Sequence, residues 1–105
     1  MFCGMVTVQA KPGRTDELVQ AGLDHARALR QQPGCVAALV LEERGTRAQV
    51  NLAVFETEGD FSRAVEATAT ILRTHRLDEL VEGPSSFRAF DVRSPHAGPS
   101  RDSTR

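Results

Sequence analysis

The chain has 105 residues, enough for one domain, with thirteen basic and fourteen acidic side chains interspersed to a net charge of −1. That balance supplies no field to hold nucleic acid or an anionic membrane surface, and no run approaches the roughly 18 apolar residues of a membrane span. Cys3 and Cys35 fall in different expected strands with no CxxC spacing, and no basic segment precedes the apolar N-terminus, so disulfides and export are not expected and the default location is cytoplasmic.

Phe2 to Ala10 alternates β-branched residues at Val6 and Val8 and stops at Lys11-Pro12-Gly13, which predicts a first strand. Thr15 is placed to cap a helix over about Asp16–Gln31, with Asp16 and Glu17 where carboxylates suit its positive end. Its apolar stripe is Leu18, Val19, Gly22, Leu23, Ala26 and Leu29, which leaves His25 on the polar side with Asp24 and Arg27. Cys35–Glu43 and Ala48–Glu56 predict two antiparallel strands joined by Arg44-Gly45-Thr46-Arg47. Thr57 followed by Asp60 marks the start of a second helix, with Phe61, Ala64, Val65, Thr68, Ile71 and Leu72 on one face. The stripe breaks near Thr74-His75, Leu77, Leu80 and Val81 follow, Gly83-Pro84 stops the helix, and Ser85–Arg93 alternates as a last strand. Ser94–Arg105, rich in Ser, Pro and Arg, predicts a disordered tail after a domain over residues 1–93.

This βαββαβ order is an α+β fold: right-handed crossovers place both helices on one face of a four-stranded antiparallel sheet. The other face should be polar and is not. Ala37, Leu39 and Leu41 oppose Val36, Ala38 and Val40 in one strand, and Val50, Leu52 and Val54 oppose Ala53 and Phe55 in the next. An open apolar sheet face predicts a two-fold homodimer packed through its sheets.

With that order, the Lys11-Pro12-Gly13 turn, the Pro33-Gly34-Cys35 entry to the second strand and the Gly83-Pro84 entry to the last, the chain resembles the antibiotic biosynthesis monooxygenase family of dimeric α/β barrels over about residues 4–93. The resemblance implies a ferredoxin-like fold with a pocket between sheet and helices. It also implies oxygenation of a small aromatic, quinol or polyketide-like metabolite by O2 with no cofactor.

A polyketide-pathway member presents an Asn, a Trp four residues on, a Tyr six further and a basic residue on the second helical segment. The same spacing here falls on Asn51, Phe55, Phe61 and His75 with its neighbour Arg76. Asn51 and His75 are thus the expected catalytic residues, with Phe55, Phe61, Arg76, Val65 and Leu72 against the substrate. Phe55 and Phe61 keep the aromatic shape and lack the N–H and O–H donors. The haem-degrading branch needs an Asn in strand one and a helical Trp, neither of which is present.

Asn51 is an amide placed mid-strand among Val50, Leu52 and Val54, where β propensity gives no reason for one, and His75 is an imidazole, the side-chain type suited to general acid or base work near pH 7. His25, His75 and His96 share no metal-ligand spacing, and no P-loop, GxGxxG, GxSxG or RNP-like segment occurs. A non-catalytic ligand-binding or accessory barrel is the alternative to the oxygenase, because fold does not decide function.

Overall fold

A computed structural model describes residues 1–93; the expected disordered tail, 94–105, and His96 within it lie outside the described residues. The β-branched run at Val6 and Val8 forms β1 (Phe2–Gln9). The following turn closes by a hydrogen bond from the Arg14 amide to the Lys11 carbonyl, and the Leu18 amide already donates to Arg14. The helix α1 (Thr15–Arg30) therefore starts one residue earlier than expected: Arg14 is the N-cap, Thr15 is helical, and no side chain among the described residues caps this end.

The next strands, β2 (Cys35–Glu42) and β3 (Ala48–Phe55), form the expected hairpin. Thr57 does cap α2 (Glu58–Thr74), its hydroxyl accepting from the Asp60 amide at 3.0 Å. The break near residue 75 is a real end: His75 is the C-cap, Arg76 adopts a left-handed backbone with φ 50°, and a single turn, α3 (Leu77–Leu80), follows before β4 (Ser86–Asp91).

The four strands lie in the order β2-β3-β1-β4, all antiparallel. With the three helices of the described residues this is a ferredoxin-like α+β fold. A bulge between Cys35 and Ala37 resets the pairing, so that Cys35 faces Phe55 while Ala37 faces Val54. Antiparallel partners share a face, and the register assigns every side chain to one of two sides. Gly4, Val6 and Val8 of β1 and Gln49, Asn51, Ala53 and Phe55 of β3 point at the helices. Cys3, Met5, Leu39, Leu41, Val50, Leu52 and Val54 occupy the opposite side.

Among the described residues that outer side carries no helix, and Leu39 and Leu41 are 49% and 45% exposed. Beneath the helices the core is split. One cluster joins Ala10, Leu18, Ala21 and Leu80, with Val8, Leu77 and Val81 against it; the other joins Leu29, Ala53, Phe55 and Ala64, with Cys35, Ala38 and Phe61. The space between them is not filled by side chains.

Candidate functional site

A cavity of about 250 Å³ separates the two core clusters. Val6, Val8, Leu18, Leu29, Val65, Leu72 and Phe87 give it an apolar wall, and the polar side chains in that wall are His25, Gln49 and Asn51. Apolar volume with a few fixed polar groups is the usual makeup of a small-molecule pocket.

Gln49 and Asn51 are two apart in β3 and so project to the same face. Gln49 is 2% exposed and its Nε2 donates to the Leu18 carbonyl and to Asn51 Oδ1, each at 3.2 Å. A carbonyl can only accept, so the Leu18 contact forces nitrogen toward the helix, and that nitrogen in turn forces Asn51 to answer with its oxygen. The Asn51 Nδ2 is left as the donor available to the cavity. Fixing it has a cost: Gln49 Oε1 is buried with no hydrogen-bond partner among the described residues, a desolvation penalty of about 1–3 kcal/mol.

Gly22 makes this arrangement possible. A Cβ there would stand 2.7 Å from Gln49 Nε2 and 2.8 Å from Asn51 Oδ1, so only glycine lets α1 pass this close to the amide pair.

His25 enters the same cavity from α1, on the side occupied by Leu18, Gly22 and Leu29 rather than on the polar side expected for it. Its Nε2 lies 2.8 Å from Thr68 Oγ1, and that hydroxyl donates to the Ala64 carbonyl at 2.8 Å. A hydroxyl has one proton. With that proton on Ala64, Thr68 accepts from the ring, which places the imidazole proton on Nε2 and leaves Nδ1 with its lone pair. Burial pushes the His25 pKa below its ordinary value of 6.5, so the ring is neutral at pH 7.

His75 is placed elsewhere. Its Nε2 donates to Asp24 Oδ2 at 2.9 Å, and it is not in the cavity wall. Hydrogen bonds from Gln20, then Arg27 and His75, hold the Asp24 carboxyl below its usual range. Arg76 is exposed and faces Glu79 at 3.7 Å, away from the site. Of the expected substrate contacts, Phe61, Val65 and Leu72 line the cavity together with Asn51, whereas Phe55 is fully buried behind it.

Phe61 is the hub of an aromatic group. Its ring lies 5.0 Å from Phe2, 5.9 Å from Phe55 and 6.1 Å from Phe87, with Phe87 55% exposed at the cavity edge. Gly4 gives that ring its place, since a Cβ at residue 4 would overlap the Cζ and Cε1 edge of Phe61. Among the described residues no three His, Cys, Asp or Glu side chains gather as a metal site.

His25, Gln49 and Thr68 were not singled out by their spacing, although the signal was present. Positions 18, 22, 25 and 29 form one helical stripe, and 49, 51, 53 and 55 form one strand face.

Comparison with known proteins gives the setting of this site. The family model for antibiotic biosynthesis monooxygenases matches residues 1–77. No curated protein matches the chain. Among solved structures, SnoaB, a cofactor-independent oxygenase from Streptomyces nogalater, is 25% identical, with a TM-score of 0.68 over 90% of this chain and 97% of that one. A candidate antibiotic biosynthesis monooxygenase from Nitrosomonas europaea superposes with a TM-score of 0.78 at 17% identity, covering 88% of this chain and 98% of that chain. Rv0793 from Mycobacterium tuberculosis superposes at 0.76 with 11% identity, over 91% and 98% of the two chains. The last two likenesses are of fold.

Proposed function

Because the chain belongs to the antibiotic biosynthesis monooxygenase family, we propose that it is a cofactor-independent monooxygenase, oxidising a small aromatic, quinol or polyketide-like metabolite with O2 in the cavity between sheet and helices. The observation that carries this reading is the Asn51 amide, turned into an apolar cavity by Gln49. The likeness to SnoaB adds support.

The chemistry asks little of a protein. A CH2 held between aromatic rings that conjugate it to a carbonyl, or a quinol O–H, loses a proton, and the resulting enolate or phenolate reduces O2. Asn51 Nδ2 donates to the oxygen on which that negative charge settles, in a site where few waters compete. Phe61, Val65 and Leu72 hold the flat ring, and Phe55 supports Phe61 from behind. Oxygen uptake with 1,8-dihydroxyanthrone, in buffer free of flavin and chelated of metal, tests the reading. Uptake above the spontaneous rate is expected, and Asn51→Ala should lower kcat by about 10²-fold, the usual loss for one oxyanion donor. Unchanged turnover in the variant removes Asn51 from the mechanism.

A second reading, a ligand-binding or accessory barrel, is favoured by Phe55 and Phe61. They stand at the positions where the oxygenase pattern has Trp and Tyr, and they supply no donor. Tight binding of anthrones and quinols with no oxygen consumption over a panel would select it.

The working unit we propose is a homodimer joined through the outer sheet face, where Leu39 and Leu41 stand open beside Leu52. The unpaired thiols of Cys3 and Cys35 suit a reducing compartment and support a cytoplasmic location.

A further inference from the structure

We propose that His25, fixed by Thr68, is the proton acceptor of this cavity, and that the ligand it selects carries an acidic C–H or O–H group. As a catalytic step this rests on the oxygenase reading; as a recognition element it stands without it.

Three observations converge on His25. The residue is in the cavity wall with Asn51, from the opposite layer. Its Nε2 is committed to Thr68, whose own proton is committed to Ala64, so the only basic position left on the ring is Nδ1, which makes no hydrogen bond with the described residues. The neutral ring is also the form that burial favours. The groups around it are uncharged: Thr68 from α2, and Gln49 and Asn51 from β3. The adjacent Asp24 is turned away, to Gln20, Arg27 and His75.

The cavity thus presents a base from the helix layer and an amide donor from the sheet. A phenol or an enolisable aryl ketone satisfies both. In the oxygenase, a ring-flanked CH2 gives its proton to His25 Nδ1 and the electron pair moves to the carbonyl oxygen held by Asn51. The enolate is oxidised by O2, forming a C–O bond and a peroxide anion. That anion takes the proton back from His25, and the hydroperoxide loses water across its C–H and O–O bonds. The net change is CH2 plus O2 to C=O plus H2O, with His25 returned neutral.

The experiment has two arms. In the first, kcat/KM for 1,8-dihydroxyanthrone is measured against pH in wild type, His25→Gln, Thr68→Val and Thr68→Ser. Wild type should lose activity on an acid limb below pH 6.5. His25→Gln should lose the limb and about 10²–10⁴ of the rate, the usual share of a general base. Thr68→Val should lower the rate while Thr68→Ser preserves it.

In the second arm, binding of 2-naphthol and naphthalene is compared by calorimetry, with the 15N spectrum of the His25 imidazole recorded in wild type. A 2-naphthol preference of tenfold or more that disappears in His25→Gln, and an Nε2-protonated ring, support His25 even if no substrate is oxidised. Equal affinity for the two ligands in wild type, an Nδ1-protonated His25, or an unchanged acid limb in His25→Gln overturns it.

Discussion

Gly22 is where helix chemistry and site chemistry compete. An alanine there would gain about 1 kcal/mol of helix propensity, while its methyl group would meet Gln49 Nε2 and Asn51 Oδ1 at 2.7 and 2.8 Å. Overpacking of that kind costs about 1–3 kcal/mol, so the two effects largely offset in stability, but the amide pair must shift from its place. Gly22→Ala is therefore expected to keep its urea midpoint within about 2 kcal/mol of unfolding free energy and to lose ligand affinity about tenfold. An intact affinity would show that the amide pair does not set the orientation of Asn51. At this scale the sequence was legible in part. Asn51 stands out as an amide among Val50, Leu52 and Val54, and the register does turn it to the helix side. His25 was hidden by its charged neighbours Asp24 and Arg27, although its spacing from Leu18, Gly22 and Leu29 assigns it to the buried face. His75 drew attention by its spacing and its place where the helical stripe breaks, and its partner Asp24 is 51 residues away and invisible in a linear reading.

The elements were the most legible level, because each ends on a local signal that acts through the backbone. Thr57 illustrates this: its hydroxyl satisfies the Asp60 amide at the start of α2, and Thr57→Ala should cost about 1 kcal/mol in urea unfolding. At α1 the same residue type failed as a signal, since the Lys11–Arg14 turn had already begun the helix and left Thr15 inside it. Arg76 was not legible as a left-handed residue. Its φ of 50° is imposed by the join of α2 to α3, and a left-handed backbone costs a non-glycine residue about 1–2 kcal/mol. Arg76→Gly should then stabilise the chain, by less than about 1 kcal/mol once the greater freedom of an unfolded glycine is counted. A lower urea midpoint would mean that the Arg76 side chain contributes more than its backbone costs.

For the whole molecule, alternation within strands was enough to see that both sheet faces are apolar, while the bulge at Cys35–Ala37, which has no sequence signature, sets which β2 residues share each face. In the proposed dimer Leu39 and Leu41 are covered, and Leu39→Lys should convert it to monomer at micromolar concentration in sedimentation. A variant that still sediments as a dimer would move the interface elsewhere. Acid should also weaken the fold. The His25 pKa is lowered in the folded state, so between that pKa and 6.5 the unfolded chain binds more protons; stability is complete above 6.5 and declines as the pH falls through this window. His25→Gln should flatten that part of a pH series of urea unfolding curves. The sheet has one further consequence, which follows from its being a single layer. Asn51 faces the cavity, while its neighbours Val50 and Leu52 face the other way. A ligand that tightens β3 against α1 acts at the same time on the surface two subunits would share. Linkage makes the effect reciprocal: whatever factor the ligand applies to subunit affinity, association applies to ligand affinity. Dilution across the dimer dissociation constant would then act as a second dial on occupancy of the cavity.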